Sequence, residues 1–171
     1  MSEQPTSPAH REGHHPPATT ESLVNAGRAL GHASSMFNHA CAERLGLHPT
    51  DWECVTLLDD AAPGGLTAGQ LAELTGRTTG AITGVIDRLE AAGFARRARD
   101  PADRRRVVVE LDPTKLSEAA PVIGGMIADM VALQAEFSED ELRAVVDVLT
   151  RAGGILRAHA LVIRAQTRAA G

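Results

Sequence analysis

The chain has no tyrosine, a single tryptophan and three phenylalanines in 171 residues. Its only cysteines, Cys41 and Cys54, cannot supply a disulfide framework or the paired thiolates of a structural zinc site. No secretory signal is legible, so a reduced, cytoplasmic setting is expected. No apolar run approaches the roughly 18 residues that cross a membrane, and no membrane partner is expected. There is no glycine-rich phosphate loop, no pair of metal ligands at working spacing and no nucleophile beside a base, so no catalytic residue, metal or cofactor is expected. Lysine is nearly absent as well: Lys115 stands against sixteen arginines. That bias suits bidentate contacts to phosphate and guanine, and a GC-rich genome produces the same bias.

What is present is enough to build a core. With 43% hydrophobic residues, the chain reads as one small domain with appended helices. Residues 1–19 are rich in Pro, His, Ser and Thr, cannot repay the entropy of ordering, and are expected to be disordered, with His10, His14 and His15 in a solvated tail. The formal charge of −5 argues at first against a polyanionic partner. Located along the chain it does not, because residues 77–106 hold eight arginines against Asp87, Glu90, Asp100 and Asp103. A partner feels charge within about 10 Å at ordinary salt, so an acidic body with one basic edge is workable.

The basic edge has internal order. Thr67 with Gln70 fits a capping box, Leu71 and Leu74 are expected to face inward, and Gly76 ends the first helix. Thr78 or Thr79 then caps a second helix whose Ile82, Val85, Ile86 and Leu89 form one stripe at a period of 3.6. Its other face carries Arg77, Gly80, Thr83, Gly84, Asp87 and Arg88, a thin surface of small residues. After Gly93, residues 94–99 and 106–111 read as two strands, with Asp100, Pro101, Ala102 and Asp103 as turn formers. Arg96, Arg97, Arg99, Arg104, Arg105 and Arg106 lie on this hairpin, and an arginine-tipped hairpin fits a narrow minor groove. Helix, turn, helix and basic hairpin together describe a holder of double-stranded DNA. A winged-helix module whose arginines meet an acidic protein partner is the alternative.

Several of these motifs coincide with one family. The helix TTGAITGVIDRLEAAGF, Arg97, the wing sequence DPADRR and the strand VVVEL behind it resemble the MarR family of winged helix-turn-helix transcription regulators, with weaker similarity in LGLHPTDWECVTLL. The resemblance implies that Thr79, Thr83 and Arg88 lie on or beside a recognition helix in the major groove, and Arg77 and Thr78 at its start are further candidates for contact. It implies a wing of Arg97, Arg99, Asp103, Arg104 and Arg105, in which Arg105 enters the minor groove, Asp103 holds it by a charge-assisted hydrogen bond, and Arg97 braces the wing or touches phosphate. The chain departs from the family in having Gly84 where many relatives carry a basic residue, and Asp112-Pro113 where relatives tend to carry a threonine and glycine turn.

Outside this segment the pattern is helical. Stripes run through Leu23, Ala26, Leu30, Ala33, Phe37 and Ala40, through Leu116, Ala119, Ile123, Met126, Met130, Leu133 and Phe137, and through Leu142, Val145, Leu149, Ala152, Leu156, His159 and Ile163. Such spacing suits helices packed at shallow angles, and the family dimerises through its terminal helices, so a homodimer is expected. The expected fold class is mostly α with a small β-wing, a winged helix-turn-helix flanked by long dimerisation helices. Its expected divisions are a tail (1–19), an N-terminal helix (20–46), the winged helix (47–111) and C-terminal dimerisation helices (112–171). A Ser138 and Glu141 capping box opens the last helix, and Pro121, Gly124-Gly125 and Gly153-Gly154 are positions where helices kink or approach closely.

Regulators of this kind release DNA when a small aromatic acid, an oxidant or a metal reaches the helical body. Arg28, Met36, His39, Arg44 and Trp52 are candidates to line a cleft for a phenolic effector. Cys41 and Cys54 read as buried structural cysteines rather than sensor thiols. His32, His39, Cys41, Glu43 and His48 form a loose set without the tight pairs of a metal site.

Overall fold

A computed structural model describes residues 19–100 and 103–169, with the side chains of 168 and 169 left aside. Most of the expected disordered tail, and Pro101 and Ala102 of the wing turn, lie outside the described residues. Thr19 does not belong to the tail. It caps the first helix reciprocally with Ser22, whose amide donates to Thr19 Oγ1 at 3.1 Å while the Thr19 amide donates to Ser22 Oγ at 2.8 Å.

Helices are α1 (Thr20–Arg44), α2 (Pro49–Asp60), α3 (Ala68–Thr75), α4 (Thr79–Ala91), α5 (Pro113–Gln134) and α6 (Glu139–Ala169), and the strands are β1 (Ala95–Arg99) and β2 (Val107–Leu111). The described residues are thus mostly helical with one small antiparallel sheet. By contacts the chain falls into two units, residues 1–37 and 38–171. In the first, the N-terminal part of α1 exposes Leu23, Val24, Leu30 and Met36.

The second unit contains the core. Cys41 and Ala42 of α1, Trp52, Cys54, Val55 and Leu58 of α2, Leu71 and Ala72 of α3, and the Ile82, Val85, Ile86 and Leu89 stripe of α4 are buried, together with Phe94, Ala95, Val108 and Val109 at the hairpin. Chain-local signals set the boundaries here. Thr67 and Gln70 form the expected capping box, Gly76 ends α3 in the left-handed region at φ 64°, and Thr78 rather than Thr79 caps α4. Leu74 is a correction: it is 49% exposed, whereas Leu71 and Ala72 of this short helix are buried.

The hairpin pairs Ala95 with Leu111 through Arg99 with Val107, and Asp112 N–H closes its base on the Phe94 carbonyl at 2.9 Å. Leu66 adds a single bridge to Val109, exchanging hydrogen bonds of 3.1 and 2.8 Å. The backbones approach so closely there that a side chain at Gly65, itself at φ 68°, would run into the Val109 carbonyl.

Asp112 caps α5 by accepting from the Thr114 and Lys115 amides, and Pro113 takes the first turn, where its missing N–H costs nothing. Contrary to the run-by-run reading of the sequence, the 22-residue α5 is long and apolar enough to cross a membrane, with mean hydropathy 1.4 over an 18-residue window. Uninterrupted runs do not reveal it because Lys115, Ser117, Glu118, Pro121 and Asp129 punctuate a helix otherwise rich in Ala, Gly, Val, Ile, Met and Leu. The helix runs through Pro121 without a break, and α6 likewise runs through Gly153 and Gly154. Ser138 and Glu141 cap α6 reciprocally, as expected. Both helices leave large apolar side chains exposed, among them Met130 and Val131 on α5 and Leu149, Leu156 and Ile163 on α6.

Candidate nucleic acid interface

The interface grows from the way α4 is anchored. Its buried stripe rests on α2 and α3, which leaves Thr79, Gly80, Thr83 and Asp87 exposed. Thr78 Oγ1 is occupied as the cap, accepting from the Ala81 amide at 3.2 Å. Thr83 donates its hydroxyl proton to the Thr79 carbonyl at 3.0 Å, so toward solvent it offers an acceptor oxygen and a methyl group. Gly84 leaves the middle of the face low, with only the Arg88 guanidinium nearby.

The arginines divide into those that hold the scaffold and those that do not. Arg88, assigned from the sequence to the reading face, is committed to Asp51: Nε donates to Oδ2 at 2.9 Å and Nη2 to Oδ1 at 2.6 Å. This bidentate pair bridges the first turn of α2 and α4, and the hydrogen bond to Asp51 holds the guanidinium above its ordinary range. Arg97 is the brace that the resemblance allowed. Its guanidinium pairs with Asp87 at 2.7 Å and with Glu90, and its amide donates to Glu90 Oε1 at 2.8 Å, so β1 is stitched to α4. The bond to Asp87 is the main cause of its raised pKa. Arg96 pairs with Glu110 at 2.7 Å, Arg106 with Asp100 at 3.5 Å, and Arg77 more loosely with Glu53 at 3.6 Å.

Arg99 Nη1 reaches the Arg104 carbonyl at 3.5 Å, and the guanidinium groups of Arg104 and Arg105 have no ion pair among the described residues. Asp103 does organise Arg105, but through the backbone: its Oδ1 accepts from the Arg105 amide at 3.0 Å, an Asx turn that fixes the tip and leaves the arginine head free. The sequence expectation of a carboxylate–guanidinium contact is corrected accordingly. One residue that positions the site was missed, Asp51, which reads locally as an ordinary acidic residue in a first helical turn.

Of the five candidate effector residues, Arg28 and Met36 are exposed in the first unit, and His39, Arg44 and Trp52 belong to the second. Trp52 is only 3% exposed and its indole N–H donates to Asn38 Oδ1 at 3.3 Å, which makes it a core residue with a satisfied polar edge. A cavity of about 440 Å³ lies elsewhere, between the end of α2 (Leu58, Asp59), the loop Ala62–Gly65, Arg96 and Glu110 of the wing base, and Leu116 of α5.

Cys41 and Cys54 are both buried. Burial pushes the Cys54 thiol up to about 11, with Glu53 and Asp51 adding to the effect and Arg77 and Arg88 opposing it. Because the folded state holds this proton more tightly than the unfolded chain, the associated stability is complete below the unfolded thiol value of about 8.5 and is lost as pH rises toward the folded value. Urea unfolding is therefore expected to show stability falling from pH 8 to pH 11, with a shallower fall in Cys54→Ala. A thiol reagent at pH 8 is expected to label the protein only after unfolding.

Residues 45–106 match the model of the MarR family. The uncharacterized HTH-type transcriptional regulator YcgE of Bacillus subtilis is 35% identical over 136 residues, covering 80% of this chain and 87% of that protein. The HTH-type transcriptional repressor YetL of the same organism is 27% identical, covering 75% of this chain and 74% of the repressor. Among solved structures, a MepR mutant from a multidrug resistant S. aureus clinical isolate superposes with a TM-score of 0.65 at 19% identity, over 81% of this chain and 99% of that one, a likeness of fold.

Proposed function

This chain belongs to the MarR family of winged helix-turn-helix transcription regulators and carries that family's DNA-binding winged helix, and from this premise we propose that it is a homodimeric repressor of an inverted-repeat operator. The division of the arginines carries the reading. Where a positive charge would serve only the fold, a carboxylate meets it; at the wing turn, Arg104 and Arg105 are left for an external anion. Phosphate and the narrow minor groove are anions of the right shape. In the major groove, Thr79 and Thr83 present small polar and methyl contacts over a face that glycines keep low enough for close approach.

Two-fold symmetry fits the exposed apolar side chains of α5 and α6, which a second copy would cover. Two reading helices would then meet half-sites about 34–36 Å apart, one helical turn of DNA. The repressor sense is supported by the name of YetL. A cytoplasmic location and the lack of any catalytic role belong to the same reading. Release by a small aromatic acid completes it. The cavity beside Arg96, about 440 Å³, falls in the size range of small-molecule sites, and a ligand there would touch α2, the wing base and α5 together.

The test separates positioning from readout. Arg105→Ala is expected to weaken binding to selected and random duplexes alike and to lower the slope of log affinity against log salt by about one. Thr83→Ala is expected to reduce mainly the preference for the selected duplex. Unchanged duplex binding in both variants, at defined salt, would sink the assignment.

A further inference from the structure

Arg88 and Arg97 are clamped onto carboxylates at 2.6 and 2.7 Å, and Arg77 is not. Its backbone is fixed: the Arg77 amide donates to the Ala72 carbonyl at 3.0 Å, closing α3 behind the left-handed Gly76, and the next residue, Thr78, caps α4. Its side chain is held differently. The ion-pair partner is Glu53 of α2, at 3.6 Å, beyond hydrogen-bond distance. Both side chains are nearly half exposed, 43% for Arg77 and 46% for Glu53, and neither has another ion pair among the described residues. Two residues earlier on the same helix, Asp51 is 4% exposed and bidentate to Arg88, a pair that serves the fold. The Glu53 pair adds little to stability, because water screens it.

What this pair does is keep a carboxylate beside a guanidinium at the start of the exposed face of Thr79, Gly80 and Thr83. A duplex seated on that face brings phosphates along the groove edge, and a phosphate offers a guanidinium shorter, charge-assisted bonds. We propose that Glu53 and a backbone phosphate compete for Arg77: the carboxylate holds the guanidinium in the free protein and yields it when a duplex seats on α4, so that Glu53 sets how tightly the reader holds DNA of any sequence. The competition touches no base, so it scales affinity and leaves sequence preference alone. The inference rests on the DNA-binding reading, which the wild-type chain tests separately by enriching a duplex from a random pool; if nothing is enriched, that reading falls and this inference with it.

The experiment uses the full chain as Glu53→Gln, Arg77→Met and the double variant, with that enriched duplex and a random-sequence duplex of equal length. Glutamine keeps the size of Glu53 without its charge, and methionine keeps the apolar stem of Arg77. Both positions are exposed, so melting temperatures are expected to stay near the wild-type value. Glu53→Gln is expected to tighten both duplexes by about threefold at one defined salt concentration, with the ratio between them unchanged. Arg77→Met is expected to weaken both and to make the dependence of log affinity on log salt shallower by about one. In the Arg77→Met background, Glu53→Gln is expected to change affinity by less than about 1.5-fold. A threefold gain that persists without Arg77 would show Glu53 repelling the duplex directly and overturn the proposal. So would a Glu53→Gln chain that binds no tighter than wild type, or one whose gain is confined to the enriched duplex.

Discussion

Arg88→Ala is expected to destabilise the winged helix by about 2–3 kcal/mol, well beyond an ordinary surface substitution. The reason is the asymmetry of the pair. The Asp51 side chain is 4% exposed and the Arg88 side chain 55%, so removing the arginine strands a buried carboxylate, whereas removing the aspartate leaves a guanidinium that water can reach. Asp51→Ala is therefore expected to cost less, about 1 kcal/mol, and the double variant to recover part of the Arg88→Ala loss because no buried charge remains. Urea unfolding followed by Trp52 fluorescence reads this as a lower midpoint at constant slope. Duplex binding distinguishes the two roles Arg88 can have. As a brace, its loss and that of Asp51 weaken DNA binding together through α4; as a base contact, its loss alone abolishes sequence preference and leaves stability unchanged.

That pair also marks where the sequence stops being legible. The α4 stripe, the Thr67 capping box, the Gly76 stop and the wing strands are decided by neighbours within a few residues, so periodicity and caps expose them. Asp51 and Arg88 are 37 residues apart, and nothing local distinguishes an arginine facing a groove from one folded back onto a carboxylate. The Asp103 contact failed in a related way: the sequence identifies the acid and the base, but a short Asx turn presents the amide of Arg105 to the carboxylate before the side chain can reach it. Leu74 shows the limit of periodic reading, since in an eight-residue helix Leu71 and Ala72 make the buried side and the next hydrophobe is left outside. Trp52 was legible as large and singular, not as buried, because the Asn38 that satisfies its indole sits on a different helix.

Leu156→Glu should have the second large effect, on assembly rather than on folding. Leu156 is 71% exposed within the chain, so a carboxylate there meets water and leaves the monomer's stability nearly unchanged. It also lies seven residues from both Leu149 and Ile163, on the exposed apolar stripe of a helix that runs unbroken from Glu139 to Ala169. If a second copy covers this stripe, the substitution puts two carboxylates near the two-fold axis of an apolar seam, where desolvation and like-charge repulsion act together. Sedimentation or light scattering at micromolar concentration is expected to show monomers in place of dimers, with the helical circular dichroism retained. Operator affinity is expected to fall by about a hundredfold or more, since a monomer meets one half-site and forfeits the second, intramolecular contact. A variant that stays dimeric would move the interface to another face, and a monomeric variant that keeps full operator affinity would remove the need for two-fold recognition. A wild-type chain already monomeric at these concentrations would leave the apolar faces of α5 and α6 to some other partner, and the 22-residue α5 would then be tested first against lipid vesicles.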